Sequence, residues 1–280
     1  MNAIEIKNLT KEYDGFKLDN LNLTLPSGFI MGLIGENGAG KSTTIKLILN
    51  IIKKNSGTVK LLGKNTETEL NNIKEDVGVV LDDVGFPECL NVKQVNNVMK
   101  YTFKNWSEDT FFSYVKKLNI PDKKIFKDFS KGMKMKLSIA VALSHNPKLL
   151  IFDEATNGLD PVVRDEVLDI FSEFTRNENH SILISSHIIS DLEKICDYVA
   201  FMHKGKLMVC EEKDLLIEQY GMIHCTREEF STINPSGIIG KKENPYGVNA
   251  IVKRNEIPKG ISASPVGIEE LFVFMAKGDK

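Results

Sequence analysis

The stretch Gly35-Glu-Asn-Gly-Ala-Gly-Lys41-Ser42-Thr43 follows the spacing G-x-x-x-x-G-K-[ST], a pattern suited to holding phosphate. Glycines at 35, 38 and 40 let backbone N–H groups curl around phosphate oxygens with no Cβ in the way. Asn37 and Ala39 lie in the same loop, and Thr43 follows it. The residues beyond carry helical spacing, and a helix N-terminus aims about half a positive charge at the same anion. Lys41 would reach the β and γ phosphates, and Ser42 would offer a hydroxyl to Mg²⁺. A second stretch, Leu149-Leu-Ile-Phe-Asp153-Glu154, sets two carboxylates after four apolar residues. In open α/β sheets, ligands gather at the C-terminal edge of the strands. There Asp153 would hold Mg²⁺, directly or through water, and Glu154 would polarise a water in line with the γ-phosphate. A GTPase would want the guanine-reading N-K-x-D motif, and the chain has none. A small-molecule kinase would pass phosphate to its substrate and would not need a base at Glu154.

The elements around these residues alternate between strand and helix. Phe29–Ile34 is a short apolar run suited to a strand buried on both faces, and helical spacing runs from Lys41 to Ile52. Upstream, Ile4 and Ile6 alternate with polar residues, and Leu21–Leu25 repeats that period. From about residue 91 to 143 helical signals dominate, which predicts an inserted helical subdomain over about 85–146. Strand-like runs return at Leu149–Phe152, Ser181–Ser185 and Tyr198–Met202, separated by helical stretches at Val162–Phe174 and Ile188–Ile195. That alternation predicts a parallel sheet with crossover helices. After Cys210 the texture changes, and four of the nine prolines fall in the last seventy residues. The expected division is residues 1–210 for the main α/β domain and 211–280 for a small accessory domain.

Composition narrows the function classes. The chain has 280 residues, 42% hydrophobic and 26% charged, with a net charge of −2. That balance gives no electrostatic case for nucleic acid or anionic membrane, so no nucleic-acid partner is expected. The four cysteines form no C-x-x-C pair, which favours a reducing compartment over a zinc site or disulfide framework. No apolar stretch approaches the ~20 residues that span a bilayer, and the N-terminus lacks a signal-peptide core. The chain is not expected to cross a membrane by itself.

Five motifs carry a resemblance. Gly35–Thr43, Phe129–Met133, Leu149–Glu154, Gly158-Leu-Asp160 and Ser185-Ser-His187 fall in the order and approximate spacing of an ABC-type ATPase. The match runs from about Ile4 to Cys210. The chain most resembles the nucleotide-binding subunits of bacterial exporters, including those linked to bacitracin or antimicrobial-peptide resistance. Gly267–Val273 also looks like the closing helix of that group. The resemblance implies an α/β P-loop NTPase fold: a RecA-like core, an antiparallel β subdomain, an inserted helical subdomain and a small C-terminal extension. It implies ATP hydrolysis with Mg²⁺, a head-to-tail homodimer around two ATP, and a separate integral membrane permease subunit. The chain would then be cytoplasmic, peripheral at the inner face of the cell membrane.

Residue by residue, the resemblance implies that Tyr13 stacks on adenine, with a core tyrosine the alternative, and that His187 reports the γ-phosphate. Gly158 and Asp160 match a loop that crosses the dimer interface. Ser130 and Gly132 match the LSGGQ signature, which binds the γ-phosphate held by the opposite subunit. The permease would dock near Gly85–Leu90, where an ordinary interdomain loop is the alternative.

Two departures stand out. FSKGM replaces the usual signature, so Lys131 adds charge that could help hold a triphosphate. Where the family has a glutamine that contacts Mg²⁺, this chain has Asp82 followed by Asp83. Asp82 is either a replacement metal ligand, which would steepen the dependence of binding on Mg²⁺, or the start of a solvated loop. Two competing readings remain. Soluble ABC ATPases of ribosomes or DNA usually carry two cassettes, coiled-coil inserts or basic tails, features this sequence lacks. A regulatory module that closes on ATP without hydrolysis would not need Glu154 and His187.

Overall fold

The computed structural model describes residues 1–82, 85–157 and 159–277; Asp83 and Gly158 lie outside the described residues. The chain opens with a hairpin of β1 (Asn2–Tyr13) and β2 (Phe16–Pro26). Ile4, Ile6, Leu21, Leu23 and Leu25 are buried while most residues between them are not, the alternation of a sheet with one wet face. β3 (Ile30–Gly35) is buried at all six positions and leads into α1 (Lys41–Ile48). This helix stops four residues short of the expected Ile52. Asn50 takes a left-handed φ of +53, and the Ile51 and Asn50 N–H groups donate back to Lys46 and Leu47 oxygens at 2.9 and 3.1 Å. That pattern closes a helix by satisfying its last carbonyls.

β4 (Ser56–Leu61) and β5 (Lys64–Asn65) complete an antiparallel sheet of order β2-β1-β4-β5. A short α2 (Leu70–Ile73) precedes β6 (Val77–Val80). The helical insertion follows as α3 (Val92–Thr102), α4 (Glu108–Lys117) and α5 (Lys131–Leu143). Then come β7 (Leu149–Asp153), α6 (Pro161–Phe174), β8 (Ser181–Ser186), α7 (Ile189–Ile195), β9 (Tyr198–His203) and β10 (Lys206–Glu212). The central sheet runs β10-β9-β3-β8-β7-β6. Its strands are parallel except β10, which returns antiparallel beside β9. β8 lies between β3 and β7, so the loops after these three strands emerge side by side.

The last part of the chain folds as α8 (Lys213–Gln219), β11 (Tyr220–Cys225), α9 (Arg227–Ser231), β12 (Ile238–Asn244), β13 (Gly247–Lys253), β14 (Ala263–Ser264) and α10 (Ile268–Lys277). Its antiparallel sheet has the order β12-β13-β11-β14. α10 fastens this sheet to the rest. Phe272 meets Phe201 of β9 edge-on at 5.5 Å, and the Ile268 N–H donates to Glu193 Oε1 of α7 at 3.1 Å. Met222, Ile251 and Leu271 join the same buried cluster as Ile34, Leu192 and Phe201. Apolar packing therefore continues across residue 210, where composition changes.

The helical insertion meets the central sheet at His145. Its ring stacks on Phe103 with centroids 4.0 Å apart, and Nε2 donates to the Val77 carbonyl at 3.3 Å. Burial pushes this imidazole's pKa below the ordinary histidine value. The unfolded chain therefore binds a proton at a pH where the folded chain does not. The stability this group contributes is full above about pH 6.5 and is lost as the pH drops below it. Thermal melts of His145→Gln, which keeps a donor for Val77 but cannot take a charge, should lose less stability between about pH 7 and 5.5 than the parent. Equal acid-side slopes in the two proteins would assign the loss to other groups.

Candidate active site

The loops after β3, β8 and β7 converge on a cavity of about 630 Å³. Asn37, Gly38, Gly40, Lys41, Ser42 and Thr43 of the expected phosphate-binding loop line it. Gly35 and Ala39 stand behind the lining. The Ala39 carbonyl accepts from the Gly205 N–H at 3.0 Å, which holds the loop against the β9–β10 turn. Two glycines are sterically required. Gly40 precedes α1 with φ +107, and a Cβ there would come within 3.0 Å of Phe16. A Cβ on Gly35 would lie 2.7 Å from the Met202 carbonyl oxygen.

Lys41 is only 5% exposed. Its Nζ donates to the Gly35 and Glu36 carbonyls at 2.8 and 3.3 Å and pairs with Glu154 Oε1 at 3.3 Å. The other oxygen, Glu154 Oε2, accepts from His187 Nδ1 at 2.7 Å. Lys41, Glu154 and His187 thus form one line of alternating partners along the cavity. Glu154 reaches it through an unusual backbone, a left-handed φ of +54, which costs a residue with a Cβ about 1–3 kcal/mol. Its N–H donates to both the Ser185 hydroxyl and carbonyl, at 3.0 and 3.2 Å.

Asp153, at the end of β7, is buried. Its Oδ1 accepts the Ser185 hydroxyl at 2.7 Å. Ser185 therefore clamps both carboxylates, accepting from the backbone of one and donating to the side chain of the other. The sequence carried a signal for this role, a hydroxyl at the C-terminal end of an apolar strand. Phe16, Glu36 and Asn157 also line the cavity.

Of the other expected site residues, Tyr13, Ser130, Gly132 and Asp160 lie outside the lining. Tyr13 is 47% exposed at the hairpin tip and sits outside the lining, whereas its register partner Phe16 lies in it. Ser130 caps α5, accepting from the Met133 N–H at 3.2 Å. Asp160 caps α6 in the same way, from the Val163 N–H at 3.1 Å. Gly132 lies near Leu159, which a Cβ on it would approach to 3.5 Å. Ser130, Gly132 and Asp160 are all absent from the cavity lining. Asp82 does line it and pairs with Lys131 at 3.3 Å.

The donors Ser42, Asp82 and Asp153 are hard oxygens, the chemistry Mg²⁺ takes. Among the described residues no group of three or more His, Cys, Asp or Glu could hold a metal by itself. Also among the described residues, no helix is long and apolar enough to cross a membrane.

Residues 18–157 match the family model described as ABC transporter. The bacitracin transport ATP-binding protein BcrA of Enterococcus faecalis is 37% identical over 211 residues, 74% of this chain and 68% of that protein. The lantibiotic transport ATP-binding protein SrtF of Streptococcus pyogenes is 36% identical over 215 residues, 75% of this chain and 91% of that one. A solved structure of an ATP-binding subunit of an ABC transporter superposes with a TM-score of 0.71 at 25% identity, covering 78% of this chain and 92% of its own. Phosphate loop, paired carboxylates and histidine thus sit on a scaffold shared with these relatives, and the chain belongs to the ABC transporter family, as an ATP-binding ATPase.

Proposed function

We propose that this chain drives an exporter: two copies close head to tail around two ATP molecules and move a separate membrane permease. One observation carries this reading. Lys41, Glu154 and His187 are linked in one line along the cavity, while Ser130, Gly132 and Asp160 sit outside its lining. A second copy facing the cavity would supply them. Tyr13, exposed at the hairpin tip opposite the lining residue Phe16, would stack on the base in place of Lys11, whose Nζ lies 4.9 Å over its ring.

The chemistry follows from the contacts. A γ-phosphate would displace Glu154 as the anionic partner of Lys41, leaving that carboxylate held by His187 and by its backbone bonds to Ser185. Glu154 then accepts the proton of a water attacking in line, and the ammonium of Lys41 stabilises the charge that develops on the phosphoryl oxygens. Ser42, Asp82 and Asp153 would hold Mg²⁺, which would supply positive charge to offset that of the phosphates. ATP favours the closed pair, hydrolysis releases it, and that difference in affinity can do work on a partner.

The permease would dock near Gly85–Leu90, where Gly85 and Phe86 join Leu81 and Met99 in lining an apolar groove of about 230 Å³. It would keep the chain cytoplasmic, at the inner face of the cell membrane. Residues 1–210 would be the motor, with 85–146 as the inserted helical subdomain and 211–280 as the accessory part. BcrA and SrtF are named for bacitracin and lantibiotic transport, which makes antimicrobial peptides the first cargo class to test.

Phosphate release decides between a motor and a module that only closes on ATP. Glu154→Gln should lower turnover by at least about 100-fold while ATP binding survives. Wild-type turnover in that variant would overturn the assignment of the base. Ser130→Arg should abolish turnover yet leave ATP binding by the monomer intact; undiminished turnover would make FSKGM a mere surface helix. Ser185→Ala should cost about tenfold in turnover and raise the Mg²⁺ concentration required. An unchanged Mg²⁺ titration would show that Asp153 needs no clamp.

A further inference from the structure

The cavity lining presents an electrostatic problem. Among the described residues of the lining, three are carboxylates, Glu36, Asp82 and Glu154, against a single lysine, Lys41. A triphosphate is strongly anionic, so unneutralised carboxylates at its site oppose binding. Glu154 has Lys41 and His187 as partners. Glu36 points largely to solvent, with His203 Nδ1 3.7 Å away. Asp82 has Lys131, whose Nζ lies 3.3 Å from Oδ1.

The neighbouring lysines of α5 are differently engaged. Lys134 sits over the Phe126 ring at 5.0 Å. Lys136 donates to the Leu118 carbonyl at 3.1 Å and pairs with Glu166 at 3.3 Å. Lys131 thus turns its charge toward the phosphate cavity of its own chain. Asp82 also lines a second cavity, of about 210 Å³, together with Lys131, so the pair spans the wall between phosphate site and α5.

We infer that Lys131 is a positioning residue for nucleotide binding within its own chain: by neutralising Asp82 it lets the cavity accept a triphosphate. The inference rests on the ATP reading above. It joins the two departures from the family pattern into one device, since an aspartate beside the phosphates is tolerable where a lysine answers it. It also differs from a role in which Lys131 touches only the nucleotide of a facing copy. In that case binding by the isolated chain would be indifferent to Lys131.

The test is the dissociation constant of the full-length chain for a non-hydrolysable ATP analogue, at dilution, with Mg²⁺ and with chelator. In chelator, Lys131→Gln should weaken binding about three- to fivefold, the size of effect an exposed ion pair supports, while Lys131→Arg binds as the parent does. Asp82→Asn combined with Lys131→Gln should restore the parent's metal-free constant. Because free Asp82 is a better metal ligand, Lys131→Gln should also depend more steeply on Mg²⁺. Lys131 is 53% exposed at its side chain, so matching thermal melts are expected for all variants. An unchanged metal-free constant in Lys131→Gln overturns the inference. So does a double variant that binds as weakly as Lys131→Gln, because Lys131 would then act without Asp82. If the parent chain binds no analogue under any condition, the ATP reading fails, and the role of Lys131 with it.

Discussion

An ammonium group kept almost wholly out of water must find its partners inside the protein, or it does not stay charged there. Lys41 is such a group, and the site is organised around satisfying it. Two loop carbonyls and one carboxylate oxygen surround its Nζ. The carbonyls require the phosphate loop to curl back on itself, which in turn requires Gly35 and Gly40 where no Cβ fits. The carboxylate requires Glu154 to leave β7 with a left-handed backbone, and that conformation is secured by Ser185 on the neighbouring strand. Strand order makes these demands compatible, because β8 lies between β3 and β7 and delivers Ser185 and His187 to the gap.

Much of this was legible in the sequence, for a physical reason. A phosphate loop and an acidic strand end are local devices, whose chemistry depends on residues adjacent in the chain. The apolar runs at 149–152, 181–185 and 198–202 announce strands because burial on both faces leaves no room for polar alternation. Helix ends were harder. Lys41–Ile52 reads as one helix, yet Asn50 turns left-handed and ends it, and periodicity carries no record of φ.

Contacts between distant segments were harder still. Ser185 lies 32 residues beyond Asp153, and nothing in either stretch names the other. The lysines of FSKGMKMK look alike in sequence. Only the fold distinguishes one that faces a carboxylate at the phosphate cavity from one over an aromatic ring and one bound to α6. Phe16 entered the cavity lining through a register in which it opposes Tyr13 across the hairpin.

The way α10 packs has a thermodynamic consequence. Met222, Ile251 and Leu271 share a core with Ile34, Leu192 and Phe201, so peeling the C-terminal sheet away would uncover apolar surface on both sides of the break. Each buried leucine-sized side chain left in water costs about 1.5–3 kcal/mol. Several such losses together rival the total stability of an ordinary domain. The C-terminal sheet and the central sheet are therefore tied into one cooperative unit. A chain cut at the composition boundary would be left with an apolar wound rather than a clean end.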